Sequence, residues 1–185
     1  VSTKERLLKV ATSLLAEKGY HGMTTAEIVQ AAGVKKPTLY YHFQDKISLL
    51  NSILQENWEP FLQIWDVPYS GDLPKEIRAK NRSILAWAEK RPQFLQAALA
   101  LHWTPAGSGE GDSVSPYREA VETKITSWFR QATPDHGAFT GRETLLAKSY
   151  WGLLQVLFEQ VILHSPPSDV ELERLTHQFL HGIFS

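Results

Sequence analysis

The chain has 185 residues, 43% hydrophobic and 21% charged, which is enough apolar material for one domain or two small ones. The absence of cysteine excludes disulfide frameworks, thiolate nucleophiles, zinc fingers and iron–sulfur sites. No run approaches the roughly 18–20 uncharged apolar residues of a membrane helix, and the opening Val1-Ser2-Thr3-Lys4-Glu5-Arg6 has no signal-peptide core, so a cytoplasmic protein is expected. The net charge of −1 hides an asymmetry. Residues 1–50 hold seven Lys/Arg against four Asp/Glu, a net +3, and the other 135 hold twelve against sixteen, a net −4. That distribution suits an anion-seeking head on a neutral or acidic body.

Periodicity is helical along nearly the whole chain. Leu7, Ala11, Leu14 and Leu15 recur at helical spacing, and Gly19 reads as a stop. Thr24-Thr25-Ala26-Glu27 has the S/T-x-x-E form of a capping box, and its helix runs through Ile28 and Val29 to a turn at Gly33. Pro37 suits the first position of a short helix ending near Phe43, and Asp45 can cap the next. A long helix is expected from Lys46, kinked or ended by Pro60. Asp72 can cap a helix to about Lys90, and Pro92 opens another through Leu101. The stretch Pro105–Pro116, with three Gly and three Ser, reads as a mobile loop before a helix from Pro116 to about Gln131. After a loop at Thr133–Gly141, two last helices cover about Arg142–His164 and Ser168–Phe184. The expectation is all-α, with about nine helices.

The order cap, helix, Gly, helix at Thr24–Phe43 describes a helix-turn-helix, in which the first helix braces a second that enters the major groove. Helical spacing points Val34, Leu39 and Phe43 inward and leaves Lys35, Lys36, Thr38, Tyr40, Tyr41 and His42 outside. Cations, hydroxyls and aromatic rings are suited to phosphates and base edges. Lys46 adds to this set: a cation in the first turn of a helix opposes the macrodipole unless an anion sits between them.

The run Thr24-Thr25-Ala26-Glu27-Ile28, Ala32-Gly33-Val34 and Pro37-Thr38-Leu39-Tyr40-Tyr41-His42-Phe43-Gln44-Asp45-Lys46 resembles the DNA-binding domain of the tetracycline-repressor (TetR) family of bacterial regulators. The resemblance covers about residues 5–55. It implies a helix-turn-helix domain over residues 1–46 and a helical effector-binding and dimerisation domain over 47–185. It places the Tyr40 hydroxyl and Lys46 on phosphates, Thr25 on the backbone, and Lys36, Pro37, Thr38, Tyr41 and His42 at the groove. Ala26 stands where some members carry a base-reading Arg, which shifts the expected specificity to Lys36, Tyr41, Pro37 and Thr38. The family further implies no cofactor, a palindromic operator, a homodimer and a small-molecule effector that releases DNA.

In the body, all six tryptophans fall after residue 50. Trp58, Trp65, Trp87, Trp103, Trp128 and Trp151, with Phe61 and Phe94, are expected to line a mostly apolar effector pocket, ordinary core packing being the alternative. Arg82, His102, Tyr117 and Tyr150 are its candidate polar groups, and an apolar or aromatic effector is expected. His177 and His181 are four apart, with His164 on the preceding helix, but no third ligand is convincingly placed, so no metal is assigned. Leu146, Leu153, Leu157 and Val161 on one helix, and Leu172, Leu175, Phe179 and Ile183 on the other, form apolar faces for a dimer. A different reading keeps the helical body as a small-molecule-binding protein or enzyme with an incidental basic head. Steep loss of DNA binding with salt separates the two.

Overall fold

The computed structural model describes residues 2–184, apart from the side chains of Ile183 and Phe184. Among the described residues there are nine α-helices and no strand: α1 (Thr3–Gly22), α2 (Thr25–Ala31), α3 (Lys36–His42), α4 (Lys46–Gln63), α5 (Leu73–Glu89), α6 (Pro92–Leu101), α7 (Gly109–Ala132), α8 (Glu143–Ile162) and α9 (Asp169–Phe184). Single 3₁₀ turns lie at Ile64–Asp66 and Gly137–Phe139. None of the described helices is long and apolar enough to cross a membrane. The fold is all-α.

The chain forms two compact units. One comprises residues up to Trp58 together with Gln93–Tyr117; the other comprises Glu59–Pro92 and everything from Arg118 onward. By compactness, then, the unit that carries the helix-turn-helix extends past residue 46, through the first turns of α4, and takes in α6 and the start of α7. The reason is the buried face of α4: Leu49, Leu50, Ile53 and Leu54 are all at most 1% exposed. Each such side chain contributes about 1.5–3 kcal/mol on burial, so the first turns of α4 are held into the first core.

Local chemistry fixes the helix-turn-helix. The Thr24 hydroxyl accepts from the Glu27 amide at 3.3 Å while the Glu27 carboxylate accepts from the Thr24 amide at 3.1 Å, closing the expected capping box. Gly33 takes φ +63° between α2 and α3, a left-handed turn that costs a side-chain-bearing residue more. Pro37 lies in the first turn of α3, and Leu39 and Phe43 fix that helix to the core at 1% and 3% exposure. The Asp45 carboxylate accepts from the Ser48 amide at 2.7 Å and caps α4. Ser2 and Glu5 form a further capping box on α1, and the α1 backbone departs from helical geometry at Gly19.

Of the two outcomes expected at Pro60, the helix continues: Pro60 lies inside α4 and does not end it. More consequentially, the second half of Pro105–Pro116 is helical, because α7 begins at Gly109 and carries Pro116 within it. The Ser108 hydroxyl accepts from the Gly111 amide at 3.1 Å, and Asp112 accepts from the Gly107 amide at 2.8 Å, so polar caps start a helix that glycine content argued against. Gly111 is required there: a Cβ would fall 2.0 Å from the Pro105 carbonyl oxygen.

Candidate functional site

The α3 surface is built from the inside outward. With α1 packed on α2 and α2 on α3, Leu39 and Phe43 occupy the inner face, and Lys35, Lys36, Pro37, Tyr40 and Tyr41 are left in solvent. Tyr41 is the extreme case at 84% exposed, a large ring held in water by a seven-residue helix. Thr38 and His42 are half-buried, and Thr25 stands half-buried at the first position of α2. The Lys36 ammonium lies 5.8 Å from the Tyr40 ring centroid, and the His42 ring meets Tyr41 edge-on at 5.1 Å. Cations, a hydroxyl and aromatic rings therefore share one outward surface.

Lys46 stands half-buried at the first position of α4, with its ammonium 4.3 Å from the Tyr20 ring. Burial pushes its pKa down, and the nearby Glu110 carboxylate pushes the other way. Glu110, at the start of α7, is 7% exposed and contacts His21 Nε2 at 2.6 Å. Sequence spacing pointed to Lys46 but could not show Tyr20, His21 or Glu110 behind it. The Lys18 ammonium, 2.6 Å from Glu27, ties α1 to the capping box of α2 in the same way.

The aromatic residues do not form one lining. Trp58 and Phe94 meet edge-on at 5.4 Å in the first unit, which also holds Tyr117, half-buried, and His102, whose ring lies edge-on to Trp103 at 4.8 Å. Trp103 itself is 80% exposed, so it lines no interior. In the second unit Phe61 touches the rings of Trp65, Trp87, Trp151 and Phe158, and Trp65 continues to Trp128 and Tyr150. Arg82 faces outward, 3.5 Å from Glu173, and is not an interior polar group.

Lys80, Asn81, Thr126 and Thr176 are instead buried polar groups of the second unit, none of them singled out by spacing. The Tyr150 hydroxyl donates to Asn81, the Asn81 amide donates to Thr176 at 2.8 Å, and Thr176 donates to the Leu172 carbonyl at 2.8 Å. Full burial pushes the Tyr150 pKa far up, so this hydroxyl stays protonated and remains a donor. Lys80, 6% exposed, donates to the carbonyls of Ile64 at 3.0 Å and Val67 at 3.3 Å. Its ammonium lies 5.1 Å from the Trp65 ring and 5.0 Å from the Trp128 ring. Burial lowers its pKa, partly offset by Glu76 and Asp66.

The last two helices turn inward much of the face expected to be free. Leu146, Leu157, Val161 and Leu172 are buried within the chain at 1–5% exposure, while Leu153, Leu175 and Phe179 are half-buried. The Ile183 side chain lies outside the described residues. The outward apolar side chains are their neighbours Leu145, Val156, Leu163 and Val170. Both helices are apolar on more than one side, so periodicity alone could not fix which face looks out. On α9 the Nε2 atoms of His177 and His181 lie 2.6 Å apart, beside an open groove of about 630 Å³ that Arg78, Glu173 and Arg174 also line. No group of three or more His, Asp or Glu is placed to hold a metal among the described residues.

A basic, aromatic helix braced by a capped partner, on an all-helical chain, is the arrangement of a helix-turn-helix. Residues 7–53 match the family model for bacterial regulatory proteins of the tetR family. Along the whole chain it is similar to the HTH-type transcriptional regulator YvkB of Bacillus subtilis, 25% identical over 98% of this chain and 97% of that protein. It is also similar to the class A tetracycline repressor from transposon 1721 of Escherichia coli, 30% identical over 59% of this chain and 57% of that one. Among solved structures, Salmonella enterica GusR shares the fold at 16% identity with a TM-score of 0.74, covering 99% of this chain and 96% of that one. Together these matches support a TetR-family transcriptional regulator, with residues 7–53 matching the family's model.

Proposed function

We propose that this regulator is a repressor that binds a palindromic operator as a homodimer and is released by a small molecule bound in its helical body. The observation that carries the DNA half is the α3 surface, where Lys35, Lys36, Pro37, Tyr40 and Tyr41 are solvent-facing on a helix fixed by Leu39 and Phe43. In this reading Lys36, Pro37, Thr38, Tyr41 and His42 meet base edges, and Thr25, Lys35, Tyr40 and Lys46 meet the phosphate backbone. A phosphate beside Lys46 restores the ionic environment that burial removes from it. Dimerisation is supported by the outward apolar side chains of Leu145 and Val156 on α8 and of Leu163 just beyond it. Leu153, Leu175 and Phe179, half-buried, stand at its margin. A two-fold pair presents its recognition helices about 34–36 Å apart, one turn of DNA. Release follows when the effector prefers the arrangement whose helices do not match the operator.

The test is selection from random duplexes, followed by salt titration of the selected site. A palindrome and a dimer by light scattering are expected. Lys46→Ala weakens all sequences alike and reduces the salt slope by about one, whereas Lys36→Ala and Tyr41→Ala change the preferred bases. A monomer at micromolar concentration with no selectable palindrome overturns the proposal.

A further inference from the structure

We infer that Lys80, Trp65 and Trp128 form a receptor for the carboxylate of an amphipathic organic acid, a monocarboxylate on an aromatic or long alkyl body. The inference rests on the proposal that the helical body takes a small-molecule effector, and it names the chemistry of that effector.

Among the described residues Lys80 is a buried cation in no ion pair, with Glu76 and Asp66 acting on it only at longer range. The ion pairs of its unit engage Arg78, Arg82, Lys124 and Lys148 and leave Lys80 out. Its ammonium has three N–H donors, and two backbone carbonyls accept from it, so one donor is unspent. Two further donors lie beside it. The indole N–H groups of Trp65 and Trp128 are buried, and among the described residues neither has an acceptor. A buried polar group without a partner is rare enough to need a reason, an absent ligand among them. Here two such groups lie on the rings that flank an ammonium in no ion pair: the rings are 6.0 Å apart, with the ammonium about 5 Å from each centroid.

The chemistry selects the ligand. A carbonyl or water could accept these hydrogen bonds but would bring no charge to Lys80. A carboxylate has two oxygens with about four acceptor positions, enough for the free ammonium donor and, once the ammonium leaves the ring faces, for the indole N–H groups at the ring edges, and it brings one negative charge. A dicarboxylate or phosphate dianion would bring a second charge that nothing here neutralises. The rest of the molecule must be apolar, because the rings continue from Trp65 through Phe61 to Trp87 and Phe158. Without ligand, the two indole faces hold the ammonium by cation–π attraction. This adds a single carboxylate to the apolar or aromatic effector expected from the sequence.

The probes are 1-naphthylacetate and decanoate, each paired with its uncharged amide. In the ¹H–¹⁵N spectrum of the full chain, the acids should move the Trp65 and Trp128 indole N–H signals downfield, and the amides should not; Trp65→Phe and Trp128→Phe assign the two signals. Calorimetry should give at least tenfold tighter binding for acid than for amide, and Lys80→Met should abolish that ratio. If Lys80→Met fails to fold, the acid–amide comparison on the unaltered chain decides alone. Equal affinity of acid and amide, or stationary Trp65 and Trp128 signals, overturns the carboxylate receptor while leaving an uncharged effector in place. Binding of neither acid overturns it too, and operator selection then judges the regulator reading separately. Chloride that moves both signals and resists displacement by either acid also overturns it.

Discussion

The surface of α3 and the interior shared by α5, α8 and α9 use polar side chains in opposite ways. On α3, Lys35, Lys36, Tyr40 and Tyr41 stand in water. In the interior, Tyr150, Asn81 and Thr176, each at most 1% exposed, hydrogen-bond in series to the Leu172 carbonyl. The difference is one of reference state. An exposed polar group exchanges water for a partner at small net cost, so a surface can hold many of them ready. A buried one left unmatched costs about 1–3 kcal/mol, so an interior keeps few and arranges them closely.

The largest effect that would break this contrast lies in the interior. Asn81→Ala strands the Tyr150 hydroxyl and opens a small cavity, and should destabilise the chain by about 3 kcal/mol in urea unfolding. Lys35→Ala or Tyr41→Ala on the surface should shift the same transition by less than about 0.5 kcal/mol. Similar losses at both places would show that burial is not what distinguishes them.

A middle-sized effect sharpens the point at the start of α7. Gly111→Ala drives a Cβ against the Pro105 carbonyl and should cost about 1–3 kcal/mol by thermal unfolding. Gly152→Ala in α8, where a Cβ would meet nothing, should be neutral or stabilising by up to about 1 kcal/mol. Matching melting temperatures for the two variants would mean that the α7 start yields without strain.

The smallest effect is a pH dependence of the head. The Lys18 ammonium, and then Thr24, hold the Glu27 carboxyl down at about 2 from its ordinary 4.5. A depressed carboxyl stabilises the fold fully above pH 4.5, and this contribution disappears as pH falls towards 2. Glu27→Gln should therefore flatten the acid limb of the stability curve over that window, modestly, because the pair faces solvent. An acid limb of unchanged slope in urea midpoints measured against pH would remove Glu27 from the account.

The head was legible in the sequence because its rules act over three or four residues. Thr24 and Glu27, Gly33, Pro37 and Asp45 each announce a local backbone geometry, and the outward set on α3 follows from helical period once the ends are placed. The interior depends on pairs far apart in the chain. Asn81 meets Tyr150 across 69 residues and Thr176 across 95, distances over which no periodicity carries information. Lys80 escaped notice for a related reason: on an amphipathic helix a lysine ordinarily reaches water, and only the turn at Ile64–Asp66 and the two indoles show that this one does not. The start of α7 was misread because composition marks Gly and Ser as loop residues, whereas Ser108 and Asp112 act there as caps.

The exposure of Trp103 gives the chain a spectroscopic division of its own. Of the six indoles, it alone stands largely in water, while Trp58, Trp65, Trp87 and Trp128 are buried and Trp151 is half-buried. Intrinsic emission is therefore a superposition of a red-edge component from one surface ring and bluer components from shielded rings. Iodide in solution extinguishes the first and spares the second. A chain carrying Trp103→Phe would emit from its shielded indoles alone.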